Sequence, residues 1–416
     1  MLVKLFPRTC RRYLSLPLFG PVMDDFDDWL LEQGYARSTR SRLLLPNVAQ
    51  VDRQLRRRGV NHIKNLTPLA LQRCWDLLHR RFPMKAAAAR VMERFLKGRK
   101  LLPSPPTPDS TALHLQVAAY ADYLRQVRGF SRSTVESHIR TATRFLTFLQ
   151  VDKTPSVLAR VDVSHVERFV RKEGKGVSRG TLQHAIAALR GLLRFLAVFG
   201  KVTPGLETQI DTPLLYKEER LPRALPWETV RSFLQSIPRT TPMGRRDHAM
   251  FFLIATYGLR VSEVVALTLD DLAWRSAQIR ISQVKIRGAM ILPLMDEVAA
   301  VLADYLRHVQ RPTGFRHLFF RVRAPFGPLK RADVSKAFEA WSRRSGLNIP
   351  FQGAHCLRHS YAVQLLRHGT SLKTIGDILG HRSPESTAHY LRLATEDLRE
   401  VGLSVPRPNS QMEVRA

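Results

Sequence analysis

Prolines constrain this chain more than any other feature. Residues Leu101 to Pro108 read LLPSPPTP, and four prolines in eight positions remove too many backbone donors for a helix or an interior strand. This stretch is a stiff extended connector, so no single core can run through it. A second joint spans about Val202 to Pro226, where Pro204, Pro213, Pro222 and Pro226 interrupt any helical period before a fresh helix start at Pro226-Trp227-Glu228. The two joints divide the 416 residues into a basic leader (1–22), a first segment (23–100), a linker (101–111), a second segment (112–205), a third segment (222–402) and a tail (403–416). That length fits two or three domains of roughly 100–200 residues each.

The first two segments look like copies of one another. Gly34-Tyr35-Ala36-Arg37-Ser38-Thr39 pairs with Gly129-Phe130-Ser131-Arg132-Ser133-Thr134, and at the same spacing Leu66-Thr67, Leu71 and Arg73 face Val161-Asp162, Val166 and Arg168. In each copy a glycine and an aromatic precede a helix start, followed by an amphipathic helix such as Thr134 to Leu149. Two small helical domains in tandem are expected. The alternative is that short helical bundles share such patterns by coincidence.

The third segment is mostly helical with one strong β signal. Gln278-Ile279-Arg280-Ile281-Ser282 alternates polar and apolar, and Met290-Ile291-Leu292-Pro293-Leu294 follows after Arg287-Gly288, which predicts a hairpin with Lys285 near its turn. Helices are predicted at about 296–309, 331–345, 355–368, 371–379 and 384–391, punctuated by Gly314, Gly346, Gly369 and Gly380. The expected fold is therefore mainly α, with a small β-hairpin or sheet in the third segment.

Charge narrows the partner. Sixty-six Lys and Arg against 35 Asp and Glu give a formal charge of +31, a field that attracts polyanions. No apolar run approaches the roughly 18–20 residues of a membrane span, so nucleic acid is favoured over a membrane surface. The three cysteines, Cys10, Cys74 and Cys356, are odd in number and scattered, which argues against a disulfide framework or a cysteine zinc site and for a reducing cytoplasm. The leader carries Lys4, Arg8, Arg11 and Arg12 with no acid before Asp24. It could be an organellar targeting segment, though an untidy basic N-terminus is the plainer reading in so arginine-rich a chain.

Beyond the second joint lie GLRVSEV (from Gly258), HCLRHSYAVQLLRHG (from His355) and ILGHRSPESTAHYL (from Ile378). They supply Arg260, His355, Arg358, His381 and Tyr390. A phosphodiester attacked in line gains negative charge on its non-bridging oxygens, which guanidinium forks can stabilise. A phenol near pKa 10 attacks poorly until cationic charge and a proton acceptor activate it. These residue types can therefore cleave a phosphodiester without metal or cofactor. Two rival motifs fail on context. Arg367-His368-Gly369 has the string of histidine phosphatases but ends a predicted helix near the C-terminus, and His355 and His359 have the spacing of a zinc pair but lack the intervening glutamate of HExxH.

Read together with the hairpin lysine, these motifs, in this order and spacing, resemble the tyrosine recombinase (phage integrase) family, whose catalytic domain is shared with type IB topoisomerases. The resemblance covers 222–402 well and 112–205 more loosely, as the SAM-like core-binding domain, while 23–100 departs from the usual two-domain layout. It implies double-stranded DNA as partner, a homo-tetramer on DNA with partner recombinases as further candidates, and a 3′-phosphotyrosine formed by Tyr390. Arg260 and Arg358 match the phosphate-binding arginines, and Lys285 matches the lysine that protonates the leaving 5′-oxygen, although Val284 and Ile286 stand where the family places glycines. His355 is expected to transfer a proton or bind the phosphate, His381 to bond a non-bridging oxygen, and Glu263 to orient the site. The leading expectation is a site-specific recombinase, of a mobile-element type. The alternatives are a relaxing topoisomerase and a DNA-binding accessory protein without catalysis.

Overall fold

The computed structural model of the chain describes residues 2–102, 111–214, 222–283, 288–309, 314–351, 353–381 and 383–393, without the side chains of His389 and Leu393. Its contacts resolve into two compact units. One comprises Pro7–Met23 and Leu43–Glu219, the other Met1–Phe6, Asp24–Arg42 and Arg220–Ala416. The division cuts the 23–100 segment between Arg42 and Leu43, so its first helix belongs with the C-terminal residues and its later helices with the 112–205 segment.

The unit built from Leu43–Glu219 is helical throughout its regular elements. Its helices are Leu45–Arg56, Pro68–Arg81, Pro83–Gly98, Ala112–Asp122, Arg132–Phe148, Val163–Gly174 and Arg179–Val198. Side chains at their starts accept the first orphan backbone N–H groups: Thr67 from Ala70, Thr111 from His114, Ser131 from Thr134, Asp162 from His165 and Ser178 from Thr181. Each such cap contributes on the order of 1 kcal/mol. Tyr120, Phe145, Phe169, Leu192 and Phe195 are buried in the core of the 112–205 segment, where the Tyr120 hydroxyl meets His138 Nδ1 at 2.9 Å.

The 95-residue correspondence has matching local structure at two places. Thr67 and Asp162 both cap helices, and Gly34 and Gly129 both take a left-handed φ, of 79° and 60°. The copies then differ. Ser131 opens one unbroken helix to Phe148, whereas Arg37–Thr39 passes through a π turn at Arg40–Leu44 before the helix Leu45–Arg56, with Pro46 in its first turn.

In the other unit, the helix Met23–Glu32 holds Asp27, which is fully buried and pairs with Arg40 Nη1 at 2.7 Å. Burial raises the Asp27 carboxyl above the usual range despite that partner. Just after this helix, the Phe326 N–H donates to Gln33 O at 3.3 Å, and the Phe326 ring lies where a Cβ on Gly34 would stand. The main core is formed by the helices Trp227–Gln235, Pro242–Tyr257, Asp296–His308 and Arg331–Ser345, with Phe233, Phe251 and Phe338 in mutual ring contact. A buried polar bridge crosses it: Asp247 accepts from Arg246 and, at 2.9 Å, from Trp341 Nε1.

The predicted hairpin is present. Strands β1 (Leu272–Ala273), β2 (Gln278–Gln283) and β3 (Gly288–Pro293) form an antiparallel sheet in that order, with Ile279 opposite Leu292 and Ile281 opposite Met290. Ile279 and Ile281 are fully buried while Arg280 and Ser282 face out, which is the alternation read from the sequence. The turn between β2 and β3, with Lys285, lies outside the described residues. The later helices fall at His355–Arg367, Leu372–Leu379 and Glu385–Ala388. The last predicted helix is shorter than expected, because a 3-10 turn, His389–Leu393, takes over at its end. This fold is mainly α with one three-stranded sheet, as the sequence indicates.

Gly258 ends the helix Pro242–Tyr257 with a left-handed φ of 64°, and a Cβ there would sit 2.6 Å from Tyr361 and 2.7 Å from Leu379. Gly129 has a similar φ but open space around it. Gly129→Ala should therefore carry only the backbone penalty, about 1 kcal/mol, whereas Gly258→Ala adds overpacking and should cost roughly 2–4 kcal/mol. Urea unfolding of the two variants, followed by far-UV circular dichroism, measures the difference.

Candidate active site

Two helix C-termini and one helix start build the site. The chain leaves the helix Pro242–Tyr257 at Gly258 and enters the short helix Val261–Ala266 with Arg260 as its N-cap residue. Glu263, 5% exposed, fixes this arginine twice, accepting the Arg260 N–H at 2.7 Å and Nη1 at 2.8 Å. Nη2 of Arg260 donates to Gly380 O at 2.8 Å. Gly380 closes the helix Leu372–Leu379 in the left-handed region, φ 61°, which turns its carbonyl toward the arginine.

Arg358 lies one turn into the helix His355–Arg367 and is 3% exposed. Its Nη1 donates to Gly258 O at 2.5 Å and its Nη2 to Leu379 O at 2.6 Å. Burial, and then the charge of Arg260, lower this guanidinium to about 10. It stays ionised at neutral pH.

Tyr390 stands in the 3-10 turn His389–Leu393, 1% exposed, packed with Ala362, Val363, Ile375 and Leu379. Its hydroxyl lies 2.8 Å from His359 Nδ1. Burial raises the phenol above its ordinary value, against the opposing pull of Arg358 and Arg260. The phenol is therefore protonated at neutral pH and needs an acceptor to become nucleophilic. The His381 ring stacks along Tyr390, with centroids 6.4 Å apart and planes within 13°, and its Nδ1 lies 2.8 Å from Thr387 Oγ1. His355 meets His359 edge to face at 4.7 Å.

Five of the six residues expected from the sequence, Arg260, His355, Arg358, His381 and Tyr390, line one open cavity of about 490 Å³. Lys285, the sixth, lies outside the described residues. Sequence reasoning missed two lining residues, His359 and Arg331. For His359 the signal was present in His355-x-x-x-His359, which one helix turn places on the same face, but the pattern was weighed only as a metal pair. Among the described residues no group of three His, Cys, Asp or Glu side chains is arranged to hold a metal ion. Cys356, beside His355, is buried with its thiol pushed up to about 12, so it offers no competing thiolate.

The phage integrase family pattern matches residues 224–397, and the N-terminal SAM-like domain of phage integrases matches 117–198. An integrase/recombinase of Sinorhizobium fredii, y4rA, is 32% identical over 400 residues, covering 94% of this chain and 97% of its own. This chain belongs to the tyrosine recombinase family. Tyrosine recombinases cut and rejoin DNA strands. The tyrosine recombinase XerD of Listeria monocytogenes is 31% identical over 288 residues, covering 68% of this chain and 95% of its own. The fold is also that of the crystal structure of XerH site-specific recombinase bound to its difH substrate in a pre-cleavage complex, at TM-score 0.54 and 20% identity, covering 72% of this chain and 99% of that one. The y4rA similarity spans all but 6% of this recombinase, so it extends into the 23–100 segment. No helix among the described residues is long and apolar enough to cross a membrane.

Glu263 anchors Arg260 without lining the cavity itself, so its removal tests the scaffold. Glu263→Ala should leave a nearly buried guanidinium without its carboxylate and destabilise the recombinase by on the order of 3 kcal/mol. Glu263→Gln, which keeps the acceptor for the Arg260 N–H, should lose less. Chemical denaturation of both variants checks the ranking.

Proposed function

We propose that this tyrosine recombinase is a site-specific enzyme that cleaves double-stranded DNA through a 3′-phosphotyrosine on Tyr390 and exchanges strands as a tetramer. One observation carries this reading. Tyr390 lines the same cavity as Arg260 and Arg358, two guanidinium groups held by backbone carbonyls.

A scissile phosphate in that cavity would meet fixed cationic donors that need no rearrangement as charge develops, the arrangement that most favours a pentacoordinate phosphorane. Tyr390 Oη forms the new bond to phosphorus and gives up its proton. The bond to the 5′-oxygen breaks, and that oxygen takes a proton from Lys285. His381 Nδ1 is engaged with Thr387 Oγ1 at 2.8 Å, which makes Nε2 the nitrogen assigned to a non-bridging oxygen. The bond energy is retained in the phosphotyrosine, so the reverse attack by a 5′-hydroxyl rejoins the strand without ATP. The charge of +31 supports DNA as the partner through phosphate contacts and counterion release. The family similarity to an integrase/recombinase over nearly the whole chain supports a mobile-element role, with partner recombinases as candidates for joint assembly.

A nicked suicide substrate should trap this protein on a DNA 3′ end, and Tyr390→Phe should abolish the adduct while binding in gel-shift assays changes less than about twofold. An adduct mapped to another tyrosine would sink the assignment. Strand exchange between two DNA molecules distinguishes a recombinase from a relaxing topoisomerase, and any covalent adduct excludes a purely accessory DNA-binding role.

Lys285 has its own test. As general acid it should contribute roughly 10²–10⁴-fold to cleavage, so Lys285→Ala should be slower by that factor on ordinary DNA. Sulfur in place of the bridging 5′-oxygen leaves without needing the proton, and cleavage of such DNA should be restored in Lys285→Ala but not in Arg260→Ala. Equal slowness of Lys285→Ala on both substrates would assign the lysine to DNA positioning.

A further inference from the structure

The reaction needs somewhere to put the Tyr390 proton. The group that sequence reasoning put forward for proton transfer is His355, at the start of the helix His355–Arg367. The geometry points to a different residue: we propose that His359 is the base that takes the phenolic proton of Tyr390 during cleavage and returns it during rejoining. The proposal rests on Tyr390 as nucleophile and deepens that reading.

The distance is decisive. His359 Nδ1 lies 2.8 Å from Tyr390 Oη, within the range for direct transfer. The ring is held on both sides, edge to face with His355 at 4.7 Å and tilted against Tyr390 at 5.6 Å. One helical turn separates His355 from His359, so the two project from one face, and both line the cavity. Among the described residues, the other ionisable groups lining this cavity with Tyr390 are Arg260, Arg331 and Arg358, which are cationic, and His381, whose Nδ1 is engaged with Thr387. In the proposed step His359 Nδ1 carries no proton beforehand and accepts the hydrogen bond of the phenol 2.8 Å away.

The step balances without a co-reactant. The O–H bond of Tyr390 breaks, its proton passes to His359 Nδ1, and the freed oxygen pair bonds phosphorus as the 5′-oxygen departs with a proton from Lys285. The imidazolium so formed sits beside a phosphorane that carries extra negative charge, which offsets the nearby arginines. In rejoining, the 5′-hydroxyl returns its proton to Lys285 and His359 reprotonates the leaving phenolate.

Asparagine separates holding from transfer, because its side-chain oxygen can accept the phenol's hydrogen bond but cannot take up the proton. Single-turnover cleavage of a nicked suicide substrate is followed across pH for the wild type, His359→Asn, His359→Gln and His355→Asn. The expected result is cleavage slowed about 10²–10⁴-fold in both His359 variants, with the adduct still on Tyr390 and gel-shift binding retained. The fall in wild-type rate at low pH, where His359 protonates, should vanish in His359→Asn and persist in His355→Asn. His359→Ala should regain rate with added imidazole. Wild-type rates in His359→Asn, or a slowed rate with the low-pH fall intact and no imidazole rescue, would overturn the proposal and leave the histidine a packing partner. Should the wild type form its adduct on a residue other than Tyr390, the nucleophile assignment falls, and this proposal with it. Retained Tyr390 adducts in slow His359 variants uphold both.

Discussion

Arg358 is the group on which the geometry of the site depends. A guanidinium 3% exposed must replace nearly all its water with protein oxygens or lose several kcal/mol to desolvation. It finds them at two helix ends, Gly258 O closing Pro242–Tyr257 and Leu379 O ending Leu372–Leu379. Helix C-termini carry partial negative charge, so one cation ties two dipole ends together. The next carbonyl on the second terminus, Gly380 O, holds Arg260 in the same way. Two like charges can thus stand beside one cavity because each is matched by carbonyls and, for Arg260, by Glu263.

That match is incomplete in an instructive way. Burial first, and then the charge of Arg260, lower Arg358 to about 10, so the repulsion between the two arginines is only partly offset. In the proposed reaction a phosphodiester supplies further negative charge beside both arginines. Ligand binding of that kind stabilises the native state by mass action. The glycines belong to the same logic. Only a left-handed residue at positions 258 and 380 aims these carbonyls at the arginines, and side chains there would collide with Tyr361 and Leu379, or with Gln283.

Much of this was legible before any coordinates. Gly258 and Gly380 end apolar helical runs, and the Ile279 and Ile281 alternation marks β2, because both signals depend on local geometry alone. That Arg260, Arg358 and Tyr390 would come together at one cavity was legible because the expected chemistry demands those residue types. His359 was not, since helical spacing fixes the direction of a side chain but not what arrives opposite it, and its partner Tyr390 is 31 residues away. The placement of Asp24–Arg42 with the C-terminal unit was equally hidden. Prolines advertise linkers, but the Phe326 ring over Gly34 and the buried Asp27–Arg40 pair are made by tertiary packing that no linker announces.

Tyr390, as the proposed nucleophile, faces two demands that ordinarily conflict. A buried phenol is well held but shielded, whereas a nucleophile must reach a bulky phosphate. Here the tyrosine packs in a small satellite cluster with Ala362, Val363, Ile375 and Leu379, apart from the large aromatic core around Phe233 and Phe338. It is carried by a 3-10 turn, whose hydrogen-bond geometry is poorer than that of an α-helix. Elements with few apolar contacts open at lower free energy than the core does. The carbonyl partners of the arginines sit at the ends of two longer helices, Pro242–Tyr257 and Leu372–Leu379, the second of which also packs against Tyr390 through Ile375 and Leu379. Arginines fixed by helix ends beside a tyrosine on a short turn suit the proposed reaction, in which Tyr390 would form and release a covalent bond to DNA in each cycle.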